Sequence, residues 1–143
     1  MLYDKFQKQL KQGHKYELEA LKYLDYDRYE HDTKYRKEYD LIIYKDEQPI
    51  KIEVKSDRQA SKTNNLAIEY ECNREPSGIN TTEADYWMYF IVFEDRQECY
   101  KIPIDVLRKF CKSCHNVSGG DGNRSKLYLL NKNRIKKYLI ENK

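Results

Sequence analysis

Apolar and polar positions alternate most cleanly over residues 39–57, YDLIIYKDEQPIKIEVKSD. Leu41, Ile42 and Ile43 form a short apolar run. Ile50, Ile52 and Val54 then alternate with Lys51, Glu53 and Lys55, the period-two pattern of a strand with two different faces. The polar residues Lys45 to Gln48, closed by Pro49, predict a turn between them, and the whole segment a hairpin. Side chains two apart on a strand share a face, so Glu53 and Lys55 point together, away from Ile52 and Val54.

Elsewhere the pattern changes period. Phe6, Leu10, Tyr16, Leu18, Leu21 and Leu24 recur at about three- and four-residue steps and predict a helix over 3–24, with Gly13 dividing it. Residues 25–38 have no sustained period and predict a loop, or an edge strand around Tyr26 to Tyr29. After the hairpin comes a polar connection, then a strand over 66–71. Pro76 and Gly78 mark a loop, followed by a short helix around 82–86 capped by Thr81 or Thr82. Residues 86–93, YWMYFIVF, form the most apolar run and predict a central buried strand. Residues 97–102 return beside it, and Pro103 opens a helix reaching about Cys114. A glycine-rich loop over 115–126, a short strand over 127–130 and a helix over 132–141 complete the chain.

A chain of 143 residues has room for one core, so 1–143 is expected to be a single domain. Charged residues make up 36%, yet 14 tyrosines and many aliphatic residues stand in periodic runs, which a disordered chain lacks. No apolar stretch is long enough to span a membrane, and the charged N-terminal segment does not read as a signal sequence. The expected location is therefore cytoplasmic, with Cys72, Cys99, Cys111 and Cys114 as thiols. A net charge of +3 is too mild to argue for nucleic acid by itself.

If the hairpin pairs as predicted, Asp40 lies alongside Glu53 and Lys55. Two carboxylates beside an ammonium suit a hard divalent cation, which takes one or two carboxylates, several waters and substrate phosphate. Such an ion activates water and neutralises phosphodiester charge. A surface hairpin with an ordinary cross-strand Glu/Lys pattern accounts for the same residues.

Asp40, twelve intervening residues and then Glu53-Val54-Lys55 resemble the signature of the PD-(D/E)xK nuclease superfamily, with Tyr39 standing where the signature has proline. The resemblance implies an α/β fold of restriction-endonuclease-like architecture, with a central mixed β-sheet flanked by helices. It implies a metal-dependent DNA endonuclease in which Asp40, Glu53 and the Val54 carbonyl hold Mg²⁺, with Mn²⁺ as a substitute, and Lys55 orients or activates the attacking water. Gly13-x-x-x-Glu17 is similar to the helix of resolvase-like members whose glutamate reaches the metal. That adds Glu17 to the metal and catalytic residues and implies a structure-selective, dimeric enzyme similar to Holliday-junction resolvases. A compact viral or mobile-element nuclease fits as well. The partner is DNA, with no membrane and no organic cofactor. A non-catalytic nucleic-acid-binding module of the same fold is the alternative, and a tyrosine-rich protein-interaction domain a third.

The remaining polar clusters stay open between phosphate contact and a solvated surface. These are Lys34, Arg36 and Lys37 before Asp40, then Arg58 and Lys62 after the hairpin, expected close to the metal site. Arg124 and Lys126 beside Gly119 to Gly122, and the run Lys132, Arg134, Lys136 and Lys137, are read the same way, whereas Ser77, Thr81 and Thr82 stay open between phosphate contact and capping or turn formation. The resemblance implies that the strand after the Glu53 strand runs beside it and puts Glu69 at the margin of the site; a solvated glutamate on an edge strand accounts for it as well. His31 is expected at the surface. Cys111-x-x-Cys114-His115 falls short of the paired spacing of a zinc site.

Overall fold

In the computed structural model, residues 2–31 and 39–142 are described. Helix α1 spans Leu2–Ala20 and tightens into a 3-10 turn over Leu21–Tyr23. The strands that follow are β1 (Arg28–Glu30), β2 (Leu41–Lys45) and β3 (Gln48–Asp57). The short helix α2 (Ala60–Thr63) leads to β4 (Asn65–Cys72) and β5 (Glu75–Pro76). Next come β6 (Tyr86–Val92), β7 (Gln97–Pro103), α3 (Ile104–Cys111), β8 (His115–Gly119) and β9 (Ser125–Asn131). A kinked 3-10 segment, Lys132–Tyr138, precedes β10 (Leu139–Ile140).

Two sheets result. The first has the order β1-β2-β3-β6-β7-β10 and is mixed: β3 and β6 run parallel, and the other pairs antiparallel. The second, β5-β4-β9-β8, is antiparallel. Alternation along β3 and β6 gives the first sheet two buried faces. Ile52, Val54, Met88 and Phe90 pack against Tyr16, Ala20 and Leu24 from the α1 segment. Trp87, Tyr89 and Ile91 pack on the other side against Leu66, Ile68 and Leu130 of the second sheet and Leu107 of α3. The β6 side chains Trp87, Met88, Phe90 and Ile91 are fully buried, as expected of the central strand.

The hairpin forms as expected, with a turn tighter than the pattern predicts. Asp46 and Glu47 alone make it, at φ of +50° and +66°, the two-residue geometry whose twist matches paired strands. Pro49 lies inside β3, opposite Tyr44 and ahead of the β6 pairing that begins at Ile52, where its missing N–H costs no bond to that strand.

Several expectations are corrected. Gly13 does not divide α1, which runs on through it. β4 pairs with β9 and β5, not with β3; the strand beside β3 is β6. No helix forms at 82–86. A 3-10 turn at Gly78–Asn80 precedes this stretch, in which the buried Thr82 hydroxyl accepts from the Ala84 N–H. α3 ends at Cys111, three residues early. The glycine-rich loop is β8 and a turn, because the polar strand lies at a sheet edge where neither face needs an apolar stripe. The terminal helix is a 3-10 segment plus β10, with Ile135 buried and Leu139 exposed. Lys34, Arg36 and Lys37 lie outside the described residues, as do the side chains of Phe6 and Leu10. Among the described residues no helix is long and apolar enough to cross a membrane.

Candidate active site

β2 begins at Leu41, whereas β3 continues five residues past Ile52, the partner of Leu41, to Asp57. β3 therefore offers an unpaired edge where β2 has not yet started, and Asp40 fills it. The Asp40 N–H donates to the Ile52 carbonyl at 2.9 Å, and the Val54 N–H donates to Asp40 Oδ2 at 2.8 Å. A strand residue's N–H and C=O point to one side, so the Val54 carbonyl faces this same edge, beside Asp40.

Glu53 and Lys55 project from the opposite face to Ile52 and Val54, as alternation requires. Lys55 Nζ stands 3.5 Å from Glu53 Oε1 and 5.6 Å from the centre of the Trp87 ring, the β6 neighbour of Glu53. Asp40, Glu53, Lys55 and Glu69 line one cavity of about 510 Å³. Its far wall comes from the second sheet and the turn after it, including Asn73, Ser77, Gly78 and Thr81. Glu69 accepts from the hydroxyls of Ser77 at 3.0 Å and Ser125 at 2.8 Å. Gly78 closes this wall at φ +52°, with the space for its absent Cβ filled by the Glu69 carbonyl, so only glycine fits.

Glu17 approaches from the other face of the sheet, on α1, and is not among the residues lining that cavity. It is buried and shares a 2.6 Å hydrogen bond with His31 Nε2, whose ring meets that of His14 edge-on. The expectation of a surface His31 is corrected: its side chain is only 8% exposed. Nothing local marks this pair in the sequence, since the partners stand fourteen positions apart and β1 brings them together.

The electrostatics are those of carboxylates short of positive charge. Burial pushes Glu53 up to about 7, with Asp40 and Glu17 adding to the rise and Lys55 opposing it. Glu17 is likewise pushed up to about 7 by burial and the Asp40 charge. Asp40 is raised by burial, against the Val54 N–H bond and the charges of Lys55, His31 and His14. Burial tends to lower Lys55, but the Glu53, Asp40 and Glu69 carboxylates outweigh it and hold the ammonium above its usual range.

The donor set fits a divalent cation. Glu53 Oε2 is buried with no hydrogen-bond partner, a costly state for a carboxylate that a cation would relieve. Among the described residues no three His, Cys, Asp or Glu side chains converge as a ready-made cage. A Mg²⁺-type ion does not require one, since two carboxylates, a backbone oxygen and waters suffice.

Other candidates lie elsewhere. Arg58 lines a separate cavity with Tyr16 and Asp57, and neither Arg58 nor Lys62 lines the carboxylate cavity, contrary to expectation. Lys132 pairs with Glu98 at 3.1 Å, and Arg134 donates to Ser113 Oγ at 2.7 Å. Cys111 and Cys114 are free thiols raised by burial, and Cys114 donates to the Phe110 carbonyl.

The model of one family, described as PD-(D/E)XK endonuclease, matches residues 33–133. That span takes in Asp40, Glu53, Val54, Lys55 and Glu69 and leaves out Glu17 and His31. No curated protein and no solved structure matches the chain.

Proposed function

This chain belongs to the PD-(D/E)XK endonuclease family, and we propose from that premise that it is a divalent-metal-dependent deoxyribonuclease whose site is built on Asp40, Glu53 and Lys55. The observation that carries the reading is the shared cavity of these three side chains, in which a buried Glu53 oxygen has no partner. Asp40 and Glu53 would hold the ion, Mg²⁺ or Mn²⁺, with the Val54 carbonyl as a third oxygen and Glu17 supporting from behind. The ion supplies Lewis acidity toward the phosphodiester and a water of lowered pKa.

The residues of the chain divide the remaining work. Lys55 is held protonated by its carboxylate neighbours, so it donates. It orients or activates the attacking water and stabilises the charge that grows on the phosphate oxygens. Asp40 fixes the Val54 backbone through the 2.8 Å bond, keeping Glu53 and Lys55 in register with each other.

Cleavage of plasmid, single-stranded and branched DNA with Mg²⁺ or Mn²⁺ tests the proposal. Wild type should cut at least one substrate. Glu53→Gln and Lys55→Ala should lose that activity by about 10²-fold or more. A preference for the branched substrate would support the resolvase-like reading. Wild type cutting none of them, or the variants cutting equally well, would refute the nuclease.

A further inference from the structure

A second, differently charged groove neighbours the cavity of the three site residues. Asn73 lines the carboxylate cavity and also a neighbouring cavity of about 430 Å³ formed with Glu71, Arg74, Asn123, Arg124 and Lys126. Among the described residues that line the second, three cations accompany one carboxylate, whereas four carboxylates, Asp40, Glu53, Glu69 and Glu75, line the first cavity beside Lys55. Arg74, Arg124 and Lys126 are all exposed.

Two turns of the second sheet build this groove. Asn73 and Arg74 join β4 to β5, both at left-handed φ, +52° and +67°. The turn at Gly120–Arg124 joins β8 to β9, with Asn123 also left-handed at +55°. The Asn73 N–H donates to the Arg124 carbonyl at 3.0 Å, which clips the two turns together. Lys126 stands opposite Glu71 across the β4–β9 ladder at 3.2 Å, but with 52% of its side chain exposed it keeps donors facing water. Left-handed φ at both Asn73 and Arg74 is the two-residue hairpin geometry also found at Asp46 and Glu47, and it fixes where the Arg74 side chain emerges.

We propose that this groove is the DNA-backbone clamp of the enzyme: Arg74, Arg124 and Lys126 hold phosphates of the strand whose scissile phosphate lies among Asp40, Glu53 and Lys55. The inference rests on the nuclease reading for its substrate and on charge complementarity for its occupant. Asn73 lines both cavities, which makes the groove the neighbour of the site. Phosphate contacts of this kind set position and affinity and carry no sequence information.

The test is binding of a short labelled DNA duplex in EDTA, followed by fluorescence anisotropy over a salt series of about 50–200 mM. The variant is Arg74→Asn with Arg124→Gln; asparagine tolerates the left-handed turn, and the Arg124 carbonyl is kept. Relative to wild type it should bind at least about 10-fold more weakly, with the slope of log K against log salt shallower by about 2. An Arg74→Lys, Arg124→Lys variant should recover the slope, while an unchanged melting temperature excludes misfolding. Unchanged affinity and slope in the Asn/Gln variant, or no duplex binding by wild type, overturns the clamp. A wild type that binds with the expected slope, loses it in the variant, and yet cuts nothing upholds the clamp and refutes the nuclease.

Discussion

The Val54 N–H donates to the Asp40 carboxylate at 2.8 Å, across the edge that β3 presents where β2 has not begun. The bond ties one carboxylate to the backbone between Glu53 and Lys55, so all three site residues are set by one local geometry. Replacing Asp40 therefore has two separable effects. Asp40→Asn keeps an oxygen for the Val54 N–H and should fold with nearly wild-type stability, while cleavage falls about 10²-fold or more. Asp40→Ala should lose as much activity and also cost about 1–3 kcal/mol, because it strands the Val54 amide. Urea unfolding beside a plasmid-cleavage assay separates the two. Equal stability of the Asn and Ala variants would contradict the structural half.

Stability should depend on pH through Glu17 and Glu53. Each carboxyl titrates at about 7 in the folded chain, against 4.5 ordinarily. Between those values the folded state holds protons that the unfolded chain has released, so stability falls as pH rises. The contribution is fully present below about 4.5 and lost above about 7. It is on the order of 1–3 kcal/mol per group. Glu53→Gln removes one such group, so the drop in melting temperature between about pH 5 and pH 8 should be smaller than in wild type. An identical pH dependence in both proteins would count against it.

His31 holds Glu17 rather than the surface. His31→Ala leaves a buried carboxyl without its partner and should lower stability by about 1–2 kcal/mol. Cleavage should fall less than in Asp40→Asn, since Glu17 stands behind the cavity and does not line it. Chemical denaturation and single-turnover cleavage give the two readouts. A loss of activity as large as that of Asp40→Asn would move Glu17 and His31 into the centre of the site.

Gly78→Ala should damage the site from its far wall. A Cβ there would sit 2.1 Å from the Glu69 carbonyl oxygen, on backbone already at φ +52°. The clash is with backbone, so β4 or the turn must shift, at a cost of about 3 kcal/mol or more. A melting temperature within a degree of wild type would show that this close approach does not exist.

The sequence made the hairpin and the central strand legible because both are written in local alternation. Ile52 and Val54 declare one face, Glu53 and Lys55 the other, and the 86–93 run is apolar enough to be central in any arrangement. What it did not reveal depends on partners far along the chain. β4 has an alternating pattern that fits either sheet, and only its long-range pairing with β9 takes it away from β3. The strand β8, HNVSG, has too little apolar content to register as a strand and is ordered by its ladder with β9. The Glu17–His31 bond and the Glu69–Ser125 bond likewise join residues with no common local pattern. Asp40 and the Glu-x-Lys triplet could be placed side by side because their spacing spans one hairpin. The basic groove was visible only as scattered cations, since two separate turns must meet before Arg74, Arg124 and Lys126 share a surface.

Anomalous diffraction from crystals soaked in Mn²⁺ bears most directly on the claim that Asp40 and Glu53 share one cation. A single strong peak is expected in direct coordination with both carboxylates and beside the Val54 carbonyl, absent from Glu53→Gln crystals. A wild-type map with no peak there, or with the ion held by other residues while the crystals remain intact, would contradict it.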